Sequence, residues 1–145
     1  MPTTIRVATP IEKPEPRNLW QSIGRGLRGR CPHCGEGALF SGYLKVNREC
    51  PHCGEALHHH RADDLPAYLS IVIVGHVVIG LLMHLEMSYA GISPWMYLVL
   101  LLPLTLILTF GILSPIKGAV VGMQWANRMH GFDPDHYDPQ PPGKR

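Results

Sequence analysis

The sequence has little charge of one sign to spare. Its 145 residues carry thirteen Lys/Arg against eleven Asp/Glu, a formal +2. Within residues 1–64 the balance is nine cations to seven acids. Nucleic-acid binders show a strong basic footprint, so no nucleic-acid partner is expected. Residues 1–17 hold no apolar run fit for a signal peptide. With Pro2, Pro10, Pro14 and Pro16 among mixed charges, they read as a disordered tail. Also missing are a nucleophile–base pair, a phosphate-cradling loop and a cofactor fingerprint. These absences point away from an enzyme.

Cysteine is scarce but concentrated. All four cysteines lie in Cys31-Pro32-His33-Cys34-Gly35 and its repeat, Cys50-Pro51-His52-Cys53-Gly54, with fifteen residues between Cys34 and Cys50. Each CxxC turn folds two sulfurs towards one point. The glycine that follows can take φ > 0, which lets backbone N–H groups face the sulfurs. Two such knuckles complete the closed tetrahedron that a structural Zn²⁺ prefers. Cys31, Cys34, Cys50 and Cys53 are therefore the expected metal ligands. Between them, Ala38-Leu39-Phe40 and Tyr43-Leu44-Lys45-Val46 flank Ser41-Gly42, the pattern of a hairpin in a zinc ribbon. So small a core makes metal binding the main source of folding free energy. His33 and His52 sit inside the turns and are expected to face solvent or support the ligands, since four cysteines already fill the metal. His58, His59 and His60 are adjacent and do not share a helix face, so no second metal site is expected there.

Ahead of the first knuckle, Asn18 can cap a short helix. Leu19, Trp20, Ile23 and Leu27 fall within about 80–100° of its arc, while Arg25 and Arg28 point elsewhere. This apolar face suits either a membrane surface rich in anionic lipid or a cover over the zinc module.

Two long apolar stretches follow. Asp63 and Asp64 precede the first, with Pro66 in its opening turn, and capping is their expected role. Ala67 to Met87 supplies 21 residues with only Glu86 charged, the length of a bilayer core. A polar elbow, Ser88 to Ser93, turns the chain, and Pro94 opens a second span from Trp95 to Leu113 that Pro103 interrupts. Tyr89, Trp95 and Tyr97 form an aromatic belt at one interface. The elbow holds none of the thirteen Lys/Arg; nine precede the first span and four follow the second. The positive-inside rule then places both termini in the cytoplasm, a reducing compartment where thiolates stay free to bind zinc. After Ser114-Pro115, residues from Ile116 to about His130 carry Lys117, Gln124 and Arg128 on one polar stripe. They read as a separate interfacial helix. Gly118-x-x-x-Gly122 within it permits a close helix approach.

Polar side chains within a bilayer are costly and invite a functional explanation. His76, Gly80, Met83, His84 and Met87 share one face of the first span. The two histidines stand roughly 12 Å apart along the axis, too far to share one ion. Hydrogen bonds to a neighbouring helix, for example at Thr105 or Thr109, are the simplest role. A partner-subunit contact, and a soft-metal rim of Met83, His84 and Met87 suited to Cu(I), are the others.

Arg30-Cys31-Pro32-His33-Cys34-Gly35-Glu36-Gly37, Asp63-Asp64-x-Pro66-Ala67, Pro103-Leu104-Thr105 and Pro115-Ile116-Lys117-Gly118, in that order, resemble a family known as domain of unknown function 983. The resemblance runs from about Asn18 to His130. It implies a bacterial inner-membrane protein with no established biochemical activity. In some bacteria the family's genes lie beside those of cytochrome oxidase and its assembly factors, which implies a respiratory oxidase as a partner. Many members keep less complete cysteine sets, so the zinc reading rests on the residues themselves.

The expected architecture is a membrane protein, mainly α. A disordered tail (1–17) leads to an amphipathic helix and a small cytoplasmic zinc-ribbon-like head (18–64), a short β-hairpin between two CxxC knuckles. A two-helix transmembrane hairpin (65–113), a C-terminal interfacial helix (114–131) and a second tail (132–145) follow. The expected function is a non-enzymatic accessory or assembly factor for a membrane complex. The alternatives are copper or other metal handling at Met83, His84 and Met87 or at the His58–His60 tract, and lipid or quinone modification using Asp63 and Asp64.

Overall fold

A computed structural model describes residues 16–59, 64–89, 91–129 and 131–132. Most of both expected tails, His60, Asp63 and His130 lie outside these. Chain order is helix α1 (Leu19–Leu27), strands β1 (Phe40–Gly42) and β2 (Lys45–Val46), helix α2 (Leu65–Ser88) and helix α3 (Pro94–Ala126).

Asn18 caps α1 as expected, its Oδ1 accepting from the Gln21 N–H at 3.2 Å. The face that α1 buries is offset from its apolar one, with Leu19 and Ile23 half-buried at its edge. Ser22 and Gly26 are buried, whereas Trp20 is 80% exposed and Leu27 is exposed too. The partner is α3. A Cβ on Gly26 would overlap the Gly118 carbonyl, and one on Gly122 would overlap the Ser22 carbonyl. Contacts 22 to 122 and 26 to 118 run in opposite directions, so the two helices pack antiparallel through small residues. The close approach expected of Gly118-x-x-x-Gly122 is thus made to α1.

Helices α2 and α3 are both long and apolar enough to cross a membrane. They pack on each other, and α2 buries Pro66, Ser70 and Val74, one residue per turn. Asp64 occupies the N-cap position of α2, but its side chain makes no capping hydrogen bond. With φ −99° and ψ −32° it already lies in the helical region, whereas a capping side chain needs extended backbone to reach the next amides.

The expected interfacial helix is not a separate element. Helix α3 runs unbroken for 33 residues through Pro103 and Pro115, about 50 Å at 1.5 Å per residue. Each proline removes one backbone donor, but a helix tolerates the loss where neighbouring turns and side chains re-satisfy the freed carbonyls. All seven buried residues of α3, from Ile116 to Trp125, lie in its last third. That third is a pillar inside the head. Ile116, Val120 and Val121 form one core with Cys31, Leu39, Cys50 and Leu57.

The hairpin forms, two residues later than expected. Phe40 pairs with Val46 and Gly42 with Lys45, so Tyr43-Leu44 makes the turn and Ser41-Gly42 belongs to β1. Leu44 takes φ +60°, an uncommon conformation for a branched side chain. Two bonds to α3 hold the turn there: Tyr43 Oη donates to the Phe110 carbonyl at 2.6 Å, and Lys117 Nζ donates to the Leu44 carbonyl at 2.9 Å.

Candidate metal centre

The two knuckles are built alike. Gly35 N–H donates to the Cys31 carbonyl and Gly54 N–H to the Cys50 carbonyl, each at 2.9 Å. Both glycines take positive φ, +78° and +72°, as the turn requires. Each knuckle is closed by a further bond, Cys31 N–H to Gly37 and Cys50 N–H to Glu55. The repeat in the sequence is therefore a repeat in backbone geometry.

These turns bring the four sulfurs within 4.8 Å of one another, and no disulfide joins them. Across the knuckles, Cys31 Sγ lies 3.8 Å from Cys53 Sγ, and Cys34 Sγ lies 3.8 Å from Cys50 Sγ. Four sulfurs about 2.3 Å from a central Zn²⁺ stand about 3.8 Å apart along each edge of the tetrahedron. The donor set fits a tetrathiolate ion in spacing, number and chemistry.

The surroundings divide the thiols. Burial pushes the Cys31 thiol up, against the opposing pull of the Cys34 and His33 backbone N–H groups. Burial also acts to raise Cys34, but the Gly37 and Glu36 N–H groups, 3.4 and 3.5 Å from its Sγ, outweigh it and lower the thiol to about 6. Cys53, at the exposed edge, is raised by burial and by its Cys50 and Cys34 neighbours. A metal ion would override these differences, because coordination deprotonates a thiol outright.

Several supports lay beyond sequence reasoning. A Cβ on Gly37 would overlap Cys50 Sγ, so Gly37 makes room for the second knuckle beside the first. Arg25 donates to the carbonyls of Pro32 and His33 at 3.1 and 2.6 Å, which ties α1 to the first knuckle. Trp125, at the end of α3, donates its indole N–H to Glu55 Oε1 at 2.8 Å. Arg17 lies 4.2 Å from the centroid of the same indole and donates to the Trp125 carbonyl at 2.7 Å. A cavity of about 430 Å³ opens here, lined by Arg17, Arg25, His33, Glu55, Trp125 and Arg128 among others, but by no cysteine. It runs beside the cluster without opening onto the sulfurs.

His33 and His52 face solvent, as expected. His33 is exposed with its ring 5.7 Å from that of Trp125. His52 pairs with Glu36 at 2.8 Å between the knuckles, both exposed, a contact of under about 1 kcal/mol. His58 and His59 stack on each other at 4.0 Å, and His59 meets Phe132 edge-on. Neither joins a metal-ligating group among the described residues. In α2 and α3, no interhelical bond forms from His76 to a threonine. His76 Nδ1 bonds the Val72 carbonyl at 2.7 Å, and Thr105 and Thr109 bond the carbonyls of Leu101 and Thr105. The carbonyl four residues back is the nearest acceptor in each case.

No curated protein and no solved structure matches the chain. A family profile described as "Protein of unknown function (DUF983)" matches residues 40–125, a shorter reach than Asn18 to His130. It takes in Cys50, Cys53 and nearly all of α2 and α3, but begins after Cys31 and Cys34. With well over half of its residues matched, the chain belongs to this DUF983 family of unknown function.

Proposed function

We propose that the protein is a membrane-anchored, non-enzymatic accessory or assembly factor whose zinc-bound head is a rigid docking knob. The observation that carries this reading is the donor set: four cysteines converge on one point and fill the tetrahedral positions of a structural zinc. Catalytic zinc keeps a position open for water or substrate, and this set leaves none. Helices α2 and α3 anchor the head in the inner membrane of a bacterium, with both termini cytoplasmic. The charge-free elbow and the cations at both ends support that orientation. The partner is a larger membrane complex, with a respiratory cytochrome oxidase as the first to test. Affinity purification in mild detergent, with zinc measured in the same sample, is expected to recover oxidase subunits. Repeated recovery of none rejects the oxidase.

One observation favours a second reading, copper handling. Met83, His84 and Met87 are all exposed on α2 and offer soft donors at the outer rim. Copper titration of the wild type against a Met83→Ala/His84→Ala/Met87→Ala variant decides this, and identical binding removes the rim.

A further inference from the structure

The head meets α3 at a height that matters. Phe110 lies sixteen residues beyond Pro94, about 24 Å along the axis, close to the far edge of an apolar slab about 30 Å thick. At this level the tip of the β1–β2 hairpin arrives. Tyr43 donates to the Phe110 carbonyl, with the two rings 6.5 Å apart, yet Tyr43 is still 58% exposed. Tyr68, near the start of α2, lies towards the same end and is 67% exposed. Tyr89 and Trp95, both exposed, mark the other end. A ring with one polar atom is most stable where hydrocarbon gives way to water. Lys117 Nζ is bonded to Leu44, and Lys45, next in the chain, is exposed. Neither lysine forms an ion pair among the described residues.

We propose that Tyr43, Leu44 and Lys45, together with Lys117, form a lipid-headgroup site. Tyr43 and Leu44 seat in the interfacial layer, and the two ammonium groups hold the phosphate of an anionic phospholipid. The head thus touches the bilayer directly as well as through its two helices. This site rests on the reading that α2 and α3 cross the membrane.

The test uses the full chain in mixed phosphatidylcholine–phosphatidylglycerol vesicles in which one lipid at a time is brominated high on the acyl chains. Tyr43→Trp is placed in a Trp20→Phe/Trp95→Phe background, and the signal of the same background with Tyr43 intact, due to Trp125, is subtracted. Zinc content of one ion per chain verifies that each variant head is folded. Trp at position 43 is expected to be quenched, with phosphatidylglycerol favoured over phosphatidylcholine by about fivefold or more. That preference should fall towards unity in Lys45→Gln/Lys117→Gln. A second measurement, quenching of Trp95 in Trp20→Phe with Tyr43 intact, reports the span itself. Quenching at 95 with none at 43 overturns the site and leaves the span standing. No quenching at either position overturns the membrane reading. Equal quenching by both lipids, or a preference unchanged by the lysine substitutions, overturns the phosphate contact.

Discussion

Gly118→Ala tests what holds α1 in place. The added methyl would overlap the Gly26 carbonyl oxygen and lie 2.8 Å from its carbon, against an ordinary contact of about 3.5–4.0 Å. Both sides are main chain, so no side-chain rotation relieves the clash and the helices must part by about an ångström. Parting them also loosens the Gly122–Ser22 contact. Overpacking of this kind costs about 1–3 kcal/mol, while alanine gains up to about 1 kcal/mol over glycine in helix propensity. The steric term wins, leaving a net loss of about 1–2 kcal/mol in α1 docking. Amide exchange in α1 should quicken about five- to thirtyfold. Gly111→Ala and Gly80→Ala are the controls, since a Cβ at either meets nothing within 4 Å. They should leave α1 exchange unchanged and hold their own helices slightly more firmly. If Gly118→Ala leaves α1 protection equal or higher, the close crossing is not what docks α1.

Cys50→Ser should drop bound zinc from about one per chain to near zero and speed amide exchange at β1 and β2, because metal binding and folding are linked; retained stoichiometric zinc would remove the cluster. Trp125→Phe deletes a hydrogen bond to a carboxylate and should cost about 1.5–3 kcal/mol, read as a lower thermal midpoint; an unchanged midpoint would show the Glu55 contact to be inert. His59 is held below its ordinary 6.5 by burial and by the neighbouring His58. The folded head therefore resists a proton that the unfolded chain accepts. The packing of His59 on Phe132 should keep its full strength above about pH 6.5 and weaken as the pH falls below it. Thermal midpoints at pH 7.5 and 5.5, with His59→Gln as reference, measure this, and the same slope in both proteins would refute it.

The sulfur cluster was legible because it is local: residue spacing and one glycine per turn determine where each knuckle's sulfurs go. Hydropathy marked the two long apolar helices for a similar reason, since length and composition alone identify them. What escaped depended on tertiary contacts. Pro115 read as a boundary, yet the head packs around α3 on both sides of it and the helix continues. Ser41-Gly42 read as the turn, but two bonds to α3 fix Tyr43-Leu44 instead. The apolar stripe of α1, Leu19, Trp20, Ile23 and Leu27, suited a membrane surface and a cover over the zinc module equally and did not show that Ser22 and Gly26 would be the buried contact. Of these, Gly118-x-x-x-Gly122 was a visible signal whose partner could not be read from spacing.

Because one helix serves both the apolar hairpin and the head, geometry at one end is inherited at the other. Each residue of an α-helix turns by about 100° and climbs 1.5 Å. Inserting a single residue between Pro103 and Phe110 would therefore swing the sulfur cluster by more than a quarter of a circle relative to Trp95. If α2 and α3 cross a membrane as proposed, adjustment to a thicker or thinner bilayer has to come from leaning the whole rod, which would tilt the knob with it.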